Sequence, residues 1–140
     1  MNNMTHYRIE PEVPGELAGA TVLDRSTHPP RVSFLEISFE GWRGDPLLEV
    51  FPCFFVTENF RDTLIRAKFT GCLFEQFNYR FGDRVPDQMR SISFWRLLPS
   101  MQPGFDFCAD AKGYLVVSER VMHLLREAGA CAFDSESISD

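Results

Sequence analysis

The chain has 140 residues, of which 44% are hydrophobic and 24% charged, and its formal net charge is −6. This length fits one domain, and 14 phenylalanines, 2 tryptophans and 3 tyrosines supply enough apolar surface for a core, which excludes a disordered chain. The net negative charge and the lack of a basic patch argue against nucleic-acid binding. Neither a signal segment nor an apolar run of roughly 18 residues is present, so we expect a cytoplasmic protein that does not bind membranes.

The first 30 residues are predicted to form an extended, turn-rich lead-in rather than regular secondary structure. Proline fixes φ and has no N–H to donate, so a high proline density disfavours helices and central strands. Residues 7–9 could still pair as a short first strand. The prolines of this segment are Pro11, Pro14, Pro29 and Pro30.

Two strand signals follow the lead-in. Apolar and polar residues alternate from Leu35 to Phe39, which is the period of a half-buried strand. After a turn, residues 47–56 are strongly apolar but contain Pro52. Because proline removes a ladder hydrogen bond, we expect a strand or an irregular buried segment to end there.

The first helix is predicted over residues 58–68. Thr57 is a favoured N-cap, and acidic residues follow it where negative charge complements the helix dipole. Phe60 and Leu64 fall on one face of this helix, at the spacing of an amphipathic segment.

Two more strands are predicted between residues 72 and 98. Alternation over residues 72–81 indicates a single strand with one bulky face. A polar loop that contains Pro86 separates it from a strand, or a strand with a bend, over residues 91–98.

A hairpin and a helix close the predicted domain. Residues 105–108 and 114–117 are typical of two short strands joined by a turn. Ser118 caps a helix over residues 119–128, and Gly129 suits the position that ends it. The apolar face of this helix consists of Val121, Leu124 and Leu125.

These elements together predict an α+β fold. We expect a single domain over residues 1–140, built from an antiparallel or mixed sheet with two main helices at about 58–68 and 119–128. The proline-rich lead-in occupies residues 1–30. The acidic tail, residues 134–140, is expected to fray.

The cysteines are predicted to be reduced, buried and free of metal. Zinc ligands usually occur in close pairs, whereas the four cysteines are widely spaced, and three of them lie in apolar runs. We therefore expect no metal and no cofactor. The four residues are Cys53, Cys72, Cys108 and Cys131.

The sequence shows no catalytic constellation, which predicts that the protein is not an enzyme. A nucleophile needs a base within reach and a third group that orients the base, and no histidine has a spacing that suggests this. The pairs of aspartates fall among turn residues, where Asp is favoured for its bonds to the backbone. The three histidines are His6, His28 and His123.

Aromatic residues near strand ends and loops, together with acidic residues, predict a protein-binding surface. Buried aromatic anchors carry much of the binding energy at protein interfaces, and acidic side chains steer a basic partner. The candidate partner-binding residues are Trp42, Trp95, Asp83, Asp87, Asp106 and Asp110.

The C-terminal part of the chain carries a recognisable pattern. A short segment with Asp106 leads to a strand reading Leu-Val-Val-Ser-Glu-Arg at residues 115–120, followed by a helix and Gly129. This pattern is similar to the end of several immunity-protein families that protect bacteria from polymorphic or contact-dependent toxins. The resemblance covers residues 105–129 only. It implies a non-catalytic inhibitor that binds a cognate toxin domain and blocks its active site, and it carries over no catalytic residues.

We therefore expect an immunity protein whose partner is a toxin with a basic face. The alternative is a small enzyme or ligand-binding domain with a polar pocket assembled across strands. A deep concave site with convergent polar groups would favour that alternative, and a flat acidic face would favour the inhibitor. The pocket residues would be Arg43, Arg80, Arg96 and Asp106.

Overall fold

Strands dominate the fold, and three helices complete it. The computed structural model describes residues 5–138. Within this range the helices are α1 (Glu58–Arg66), α2 (Asp87–Arg90) and α3 (Glu119–Glu127). The strands are β1 (His6–Glu10), β2 (Gly15–Leu17), β3 (Val22–Asp24), β4 (Arg31–Phe34), β5 (Glu36–Phe39), β6 (Leu47–Val50), β7 (Cys53–Thr57), β8 (Cys72–Glu75), β9 (Asn78–Phe81), β10 (Phe94–Pro99), β11 (Phe107–Ala109), β12 (Leu115–Ser118) and β13 (Asp134–Ile138).

The first sheet has the strand order β11-β12-β1-β13, and it changes the predictions for the lead-in and for the tail. All its pairs are antiparallel, and β1 lies inside the sheet, where Tyr7 is opposite Val117 on one side and Ser137 on the other. The short strand expected over residues 7–9 is present as β1. The expectation that the rest of the lead-in is irregular is wrong, because β2 and β3 also form there and the prolines lie between the strands. The tail also does not fray over 134–138, since backbone hydrogen bonds to β1 need no apolar side chains. Residues 139–140 lie outside the described residues.

The second sheet has the order β6-β7-β10-β8 and is antiparallel throughout. Strands β6 and β7 form a hairpin, and Pro52 lies in its turn after a cis peptide bond to Phe51. The predicted break at this proline is thus a turn between two strands. Cys53, Phe55 and other alternate residues of β7 face one side of the sheet, and Phe54 and Val56 face the other.

The predicted strand over residues 72–81 is two strands in two different sheets. β8 pairs with β10, and β9 pairs in parallel with β5 in a three-stranded sheet of order β2-β5-β9. The chain therefore leaves the second sheet after Glu75 and enters the third. The rings of Phe77, Tyr79 and Phe81 then pack against Phe39 of β5. Strands β3 and β4, which lie between β2 and β5 in the sequence, form a separate antiparallel hairpin.

Two hydrophobic cores occupy the two faces of the second sheet. The first core lies between this sheet, the first sheet and helices α1 and α3, with Phe54, Phe107 and Leu125 at its centre. The second core lies between this sheet and the third, where Phe39 and Phe55 are fully buried. This confirms an α+β architecture, although strands contribute more of it than the two predicted helices suggest.

Both main helices begin at the predicted caps. The Thr57 hydroxyl accepts a hydrogen bond from the Phe60 N–H at 3.3 Å, and the Ser118 hydroxyl accepts one from the Val121 N–H at 3.4 Å. Gly129 follows α3 with φ of 79°, the left-handed conformation expected at this position. Helix α2 lies where only a polar loop was predicted, because its four residues are too few for a periodic signal.

The apolar face of α3 is turned slightly from the predicted one. Val121 and Leu125 are fully buried, as expected. The third buried residue is Met122 and not Leu124, which the sequence predicted. Leu124 packs only at the margin of the first core. The helix remains a structural element of that core.

Two buried carboxylates join segments that are distant in sequence. The Glu12 carboxylate accepts hydrogen bonds from the Arg43 and Asp45 N–H groups at 2.6 and 3.2 Å. The Asp45 carboxylate in turn accepts from the Cys131 and Ala132 N–H groups at 3.0 and 2.9 Å. The turn before β6 is thereby tied to the segment that leads into β13.

Candidate functional site

A groove opens where β8 separates from β10. β7 pairs with β10 over Phe94–Leu97, whereas β8 pairs with it only over Arg96–Pro99. Phe94 and Trp95 therefore have a strand on one side and, within residues 5–138, no paired strand on the other. Residues 76–79 diverge toward the third sheet, and β4 forms the far wall. The resulting groove has a volume of about 570 Å³.

Main-chain groups of β10 form the floor of the groove. The Ser93 carbonyl accepts a hydrogen bond from the Glu58 N–H at 2.9 Å, so Ser93 faces the β7 side. Peptide groups alternate along a strand, so those of Phe94 face the groove. The Phe94 N–H donates to the Tyr79 Oη at 3.2 Å. Its carbonyl has no paired strand beside it in the described part of the chain, and the residue as a whole is 3% exposed.

Two carboxylates and one guanidinium line the groove. Arg96 Nη1 donates to Glu75 Oε1 at 3.2 Å, and the side chain of Glu75 is 49% exposed while that of Arg96 is 16% exposed. Trp95 Nε1 donates to Glu58 Oε1 at 3.3 Å. The charged lining of the groove is therefore net negative.

Aromatic rings form the walls of the groove. Phe34 of β4 is 42% exposed, an unusual fraction for this residue type. On the opposite wall the centroids of Phe77 and Tyr79 are 5.0 Å apart, and Tyr79 packs edge-on against Phe94. These rings are held by the second core, so the wall they form is rigid.

The two tryptophans predicted as partner-binding residues lie on either side of Glu58. Trp95 lines the groove, and the Arg61 guanidinium covers its ring at 4.0 Å from the centroid. Trp42 lines a neighbouring hollow of about 300 Å³ that also includes Glu58. Its ring packs edge-on against Phe94, and its Nε1 donates to the Asp45 carbonyl at 2.9 Å. Both rings are partly buried.

The four predicted aspartates do not form one acidic face. Asp83 and Asp87 are exposed, beside and within α2. Asp110 caps a turn by accepting hydrogen bonds from the Lys112 and Tyr114 N–H groups at 2.9 and 3.0 Å.

Asp106 is buried and has an internal role, which corrects its assignment to the exposed acidic surface. Its carboxylate accepts hydrogen bonds from Arg120 Nη2 and from the Ser118 hydroxyl, both at 2.7 Å, and from the Thr70 N–H at 2.8 Å. Burial acts to raise the pKa of Asp106, but the bonds from Arg120, Ser118 and Thr70 outweigh it and hold the pKa well below its usual range. The residue ties the segment before β8 to the start of α3.

The polar pocket proposed as the alternative site is not assembled. Of its four residues only Arg96 lines the groove. Arg43 and Arg80 are exposed, and Asp106 is engaged with Arg120.

Three of the four thiols are unsuited to nucleophilic chemistry. Burial raises the pKa of Cys53 and of Cys72 to about 11 each, and it raises the pKa of Cys108 as well, so all three favour the unreactive thiol form. Cys131 is exposed, in contrast to the predicted burial of the cysteines, and Cys72 is only partly buried. Within residues 5–138 no group of three or more His, Cys, Asp or Glu could hold a metal ion.

Glu49 of β6 is a second strongly perturbed carboxylate outside the groove. Burial, with a smaller contribution from the nearby negative charge of Glu10, raises the pKa of Glu49 to about 7. It does not line the groove. Its position beside β1 makes it a feature of the packing between the first two sheets.

Comparison with protein-family models, curated proteins and solved structures finds no match. Among residues 5–138, no helix has both the length and the apolar character needed to cross a membrane.

Proposed function

We propose that this protein is a non-catalytic immunity protein that binds a cognate bacterial toxin domain in the cytoplasm and blocks its active site. The observation that carries the proposal is the chemistry of the groove beside β10, namely its aromatic walls and its net negative lining, since its concave shape by itself favours the small-ligand alternative. The groove is open to solvent, its walls are aromatic, and its carboxylates are oriented by hydrogen bonds from Trp95 and Arg96. Such a combination suits recognition of a protein surface.

Two further observations support this proposal. The segment similar to immunity proteins, residues 105–129, forms a compact unit of β11, β12 and α3 that Asp106 holds together through Ser118 and Arg120. The net charge of −6 favours association with a basic toxin.

The direct test is protection by the purified pair. The candidate toxin is the product of the neighbouring gene, expressed as an isolated domain. We expect a stable one-to-one complex by size-exclusion chromatography, and growth rescue when both proteins are produced in one cell. A toxic neighbour that neither binds this protein nor is neutralised by it would contradict the proposal.

Truncation of the aromatic anchors is expected to speed dissociation. Trp95→Ala removes a ring from the groove, and a hot-spot residue contributes about 2 kcal/mol or more, which corresponds to about a 30-fold faster dissociation rate. Trp42→Ala tests the neighbouring hollow in the same way. Surface plasmon resonance measures both rates, and circular dichroism melts verify that each variant is folded. Parental dissociation rates for both folded variants would place the anchors elsewhere.

Salt is expected to slow association more than it changes dissociation. Exposed charges govern the encounter of the two proteins, whereas buried contacts govern the lifetime of the complex. The measurement is the association rate at low and high ionic strength. An association rate that does not respond to salt would remove electrostatic steering from the mechanism.

A second candidate function is binding of a small ligand. The volume of about 570 Å³ falls within the range of about 300–1,000 Å³ typical of ligand pockets. Turnover or stoichiometric binding of a small molecule in the groove, without any effect of the neighbouring toxin, would favour this candidate.

A further inference from the structure

We propose that the groove beside β10 receives an arginine side chain of the partner. This inference rests on the proposed function and deepens it, because it names the chemistry of the partner group that the groove recognises. It follows from the hydrogen-bond acceptors of the groove, from its aromatic walls and from its charge.

Two carboxylates in the lining of the groove, Glu58 and Glu75, each have an oxygen atom that is available to a ligand. In each of these carboxylates Oε1 accepts a hydrogen bond, from Trp95 in Glu58 and from Arg96 in Glu75. Among residues 5–138 no donor reaches the Oε2 atom of either carboxylate. Five N–H donors in a fixed plane, the inventory of a guanidinium, match such a set of acceptors.

The aromatic walls favour arginine over lysine. A guanidinium stacks on aromatic rings and is more weakly hydrated than an ammonium, so it enters a partly buried groove at lower cost. Phe34 and Tyr79 offer ring surface on opposite walls. The protein already uses this contact elsewhere, most closely where Arg61 covers Trp95 and Arg120 covers Phe69, each at 4.0 Å.

The same lining disfavours an anionic ligand. Arg96 is its one cationic residue. Its Nη1 is engaged with Glu75, and its Nε is buried without a hydrogen-bond partner and therefore closed to a ligand. Two carboxylates would repel an anion that entered the groove, and the one guanidinium that would attract it is already engaged.

A tripeptide titration tests the inference without the toxin. The probes are acetyl-Gly-Arg-Gly-amide and its citrulline analogue, which keeps the shape of arginine and lacks its charge. Nuclear magnetic resonance of ¹⁵N-labelled protein follows the Trp95 indole N–H and the Phe94 amide N–H. We expect saturable shifts of both signals with the arginine peptide and at least a fivefold weaker response to the citrulline peptide. No shift, or equal responses to the two peptides, would overturn the inference.

Charge-neutral variants locate the binding. Glu75→Gln keeps an oxygen that can accept from Arg96 but removes the charge, and we expect it to weaken arginine-peptide binding about fivefold, the upper range for an exposed ion pair. Glu136→Gln makes the same charge change on β13, where the side chain is 73% exposed and does not line the groove, and it should leave binding unchanged. Equal losses in both variants would assign the effect to net charge and overturn the groove as the site.

The toxin separates this inference from the proposed function. If Glu75→Gln weakens peptide binding but the parent protein does not neutralise the toxin, the groove assignment stands and the immunity proposal fails. If the parent neutralises the toxin while neither the peptide nor Glu75→Gln has an effect, the immunity proposal stands and the groove assignment is wrong.

Discussion

Replacing Leu125 with alanine is expected to lower the free energy of unfolding by about 2–5 kcal/mol. Leu125 is 1% exposed and lies in the first core, where α3 packs against the first two sheets. Truncation removes buried methyl groups and leaves a cavity that rigid strands cannot close. Urea unfolding, followed by circular dichroism at neutral pH, measures the loss.

A matched variant separates burial from helix propensity. Leu124→Ala makes the same change one residue earlier in α3, where the side chain is only partly buried, and we expect a clearly smaller loss of stability. Ser118→Ala, which removes only the cap, should cost about 1 kcal/mol. Equal losses for Leu124→Ala and Leu125→Ala would contradict the observed orientation of the helix.

Replacing Asp106 with asparagine is expected to lower the free energy of unfolding by about 3 kcal/mol at pH 7. The carboxylate accepts hydrogen bonds from Thr70, Ser118 and Arg120, and an asparagine would place an amide donor against some of these donors. The side chain of Arg120 is half exposed and can be hydrated in the variant, which limits the loss. Urea unfolding of the variant and the parent gives the difference.

The difference between the parent and Asp106→Asn should depend on pH with a definite sign. The pKa of Asp106 is lowered in the folded state, so its contribution to stability is present above the unfolded pKa of about 3.9 and is lost as the pH falls further toward the folded pKa. We therefore expect the two proteins to differ fully at pH 7 and progressively less below about pH 4. Asp83→Asn, on an exposed residue, is the control. A difference that stays constant down to pH 2 would contradict an ionised role for Asp106.

These experiments separate two kinds of polar residue, those that stabilise the domain and those that line the groove. The Asp106 network affects stability because its donors come from the domain itself, from Thr70, Ser118 and Arg120. The groove should affect binding because Oε2 of Glu58 and of Glu75 has no donor in the described residues. A loss of toxin protection in Asp106→Asn would then reflect unfolding, whereas a loss in Glu75→Gln would reflect recognition.

Local signals in the sequence determined the elements that depend on neighbouring residues. Thr57 and Ser118 were predicted as N-caps and act as N-caps, because capping involves a side chain and an N–H three residues away. The hairpin of β11 and β12 was predicted for the same reason. Composition likewise predicted a domain with a large core, and the aromatic clusters of the two cores contain most of its phenylalanines.

Only the tertiary structure decided how the strands are distributed among sheets. β1 and β13 are joined by bonds between residues more than a hundred positions apart, and no local pattern specifies such a pair. Across the change from β8 to β9 the half-buried positions switch from even, at Cys72 and Phe74, to odd, at Tyr79 and Phe81. The sequence nevertheless predicted one strand over residues 72–81, because bulky residues occur on both sides of Glu75 and conceal this switch. The groove exists only because the chain changes sheets at this point, so its residues could not be found from sequence spacing.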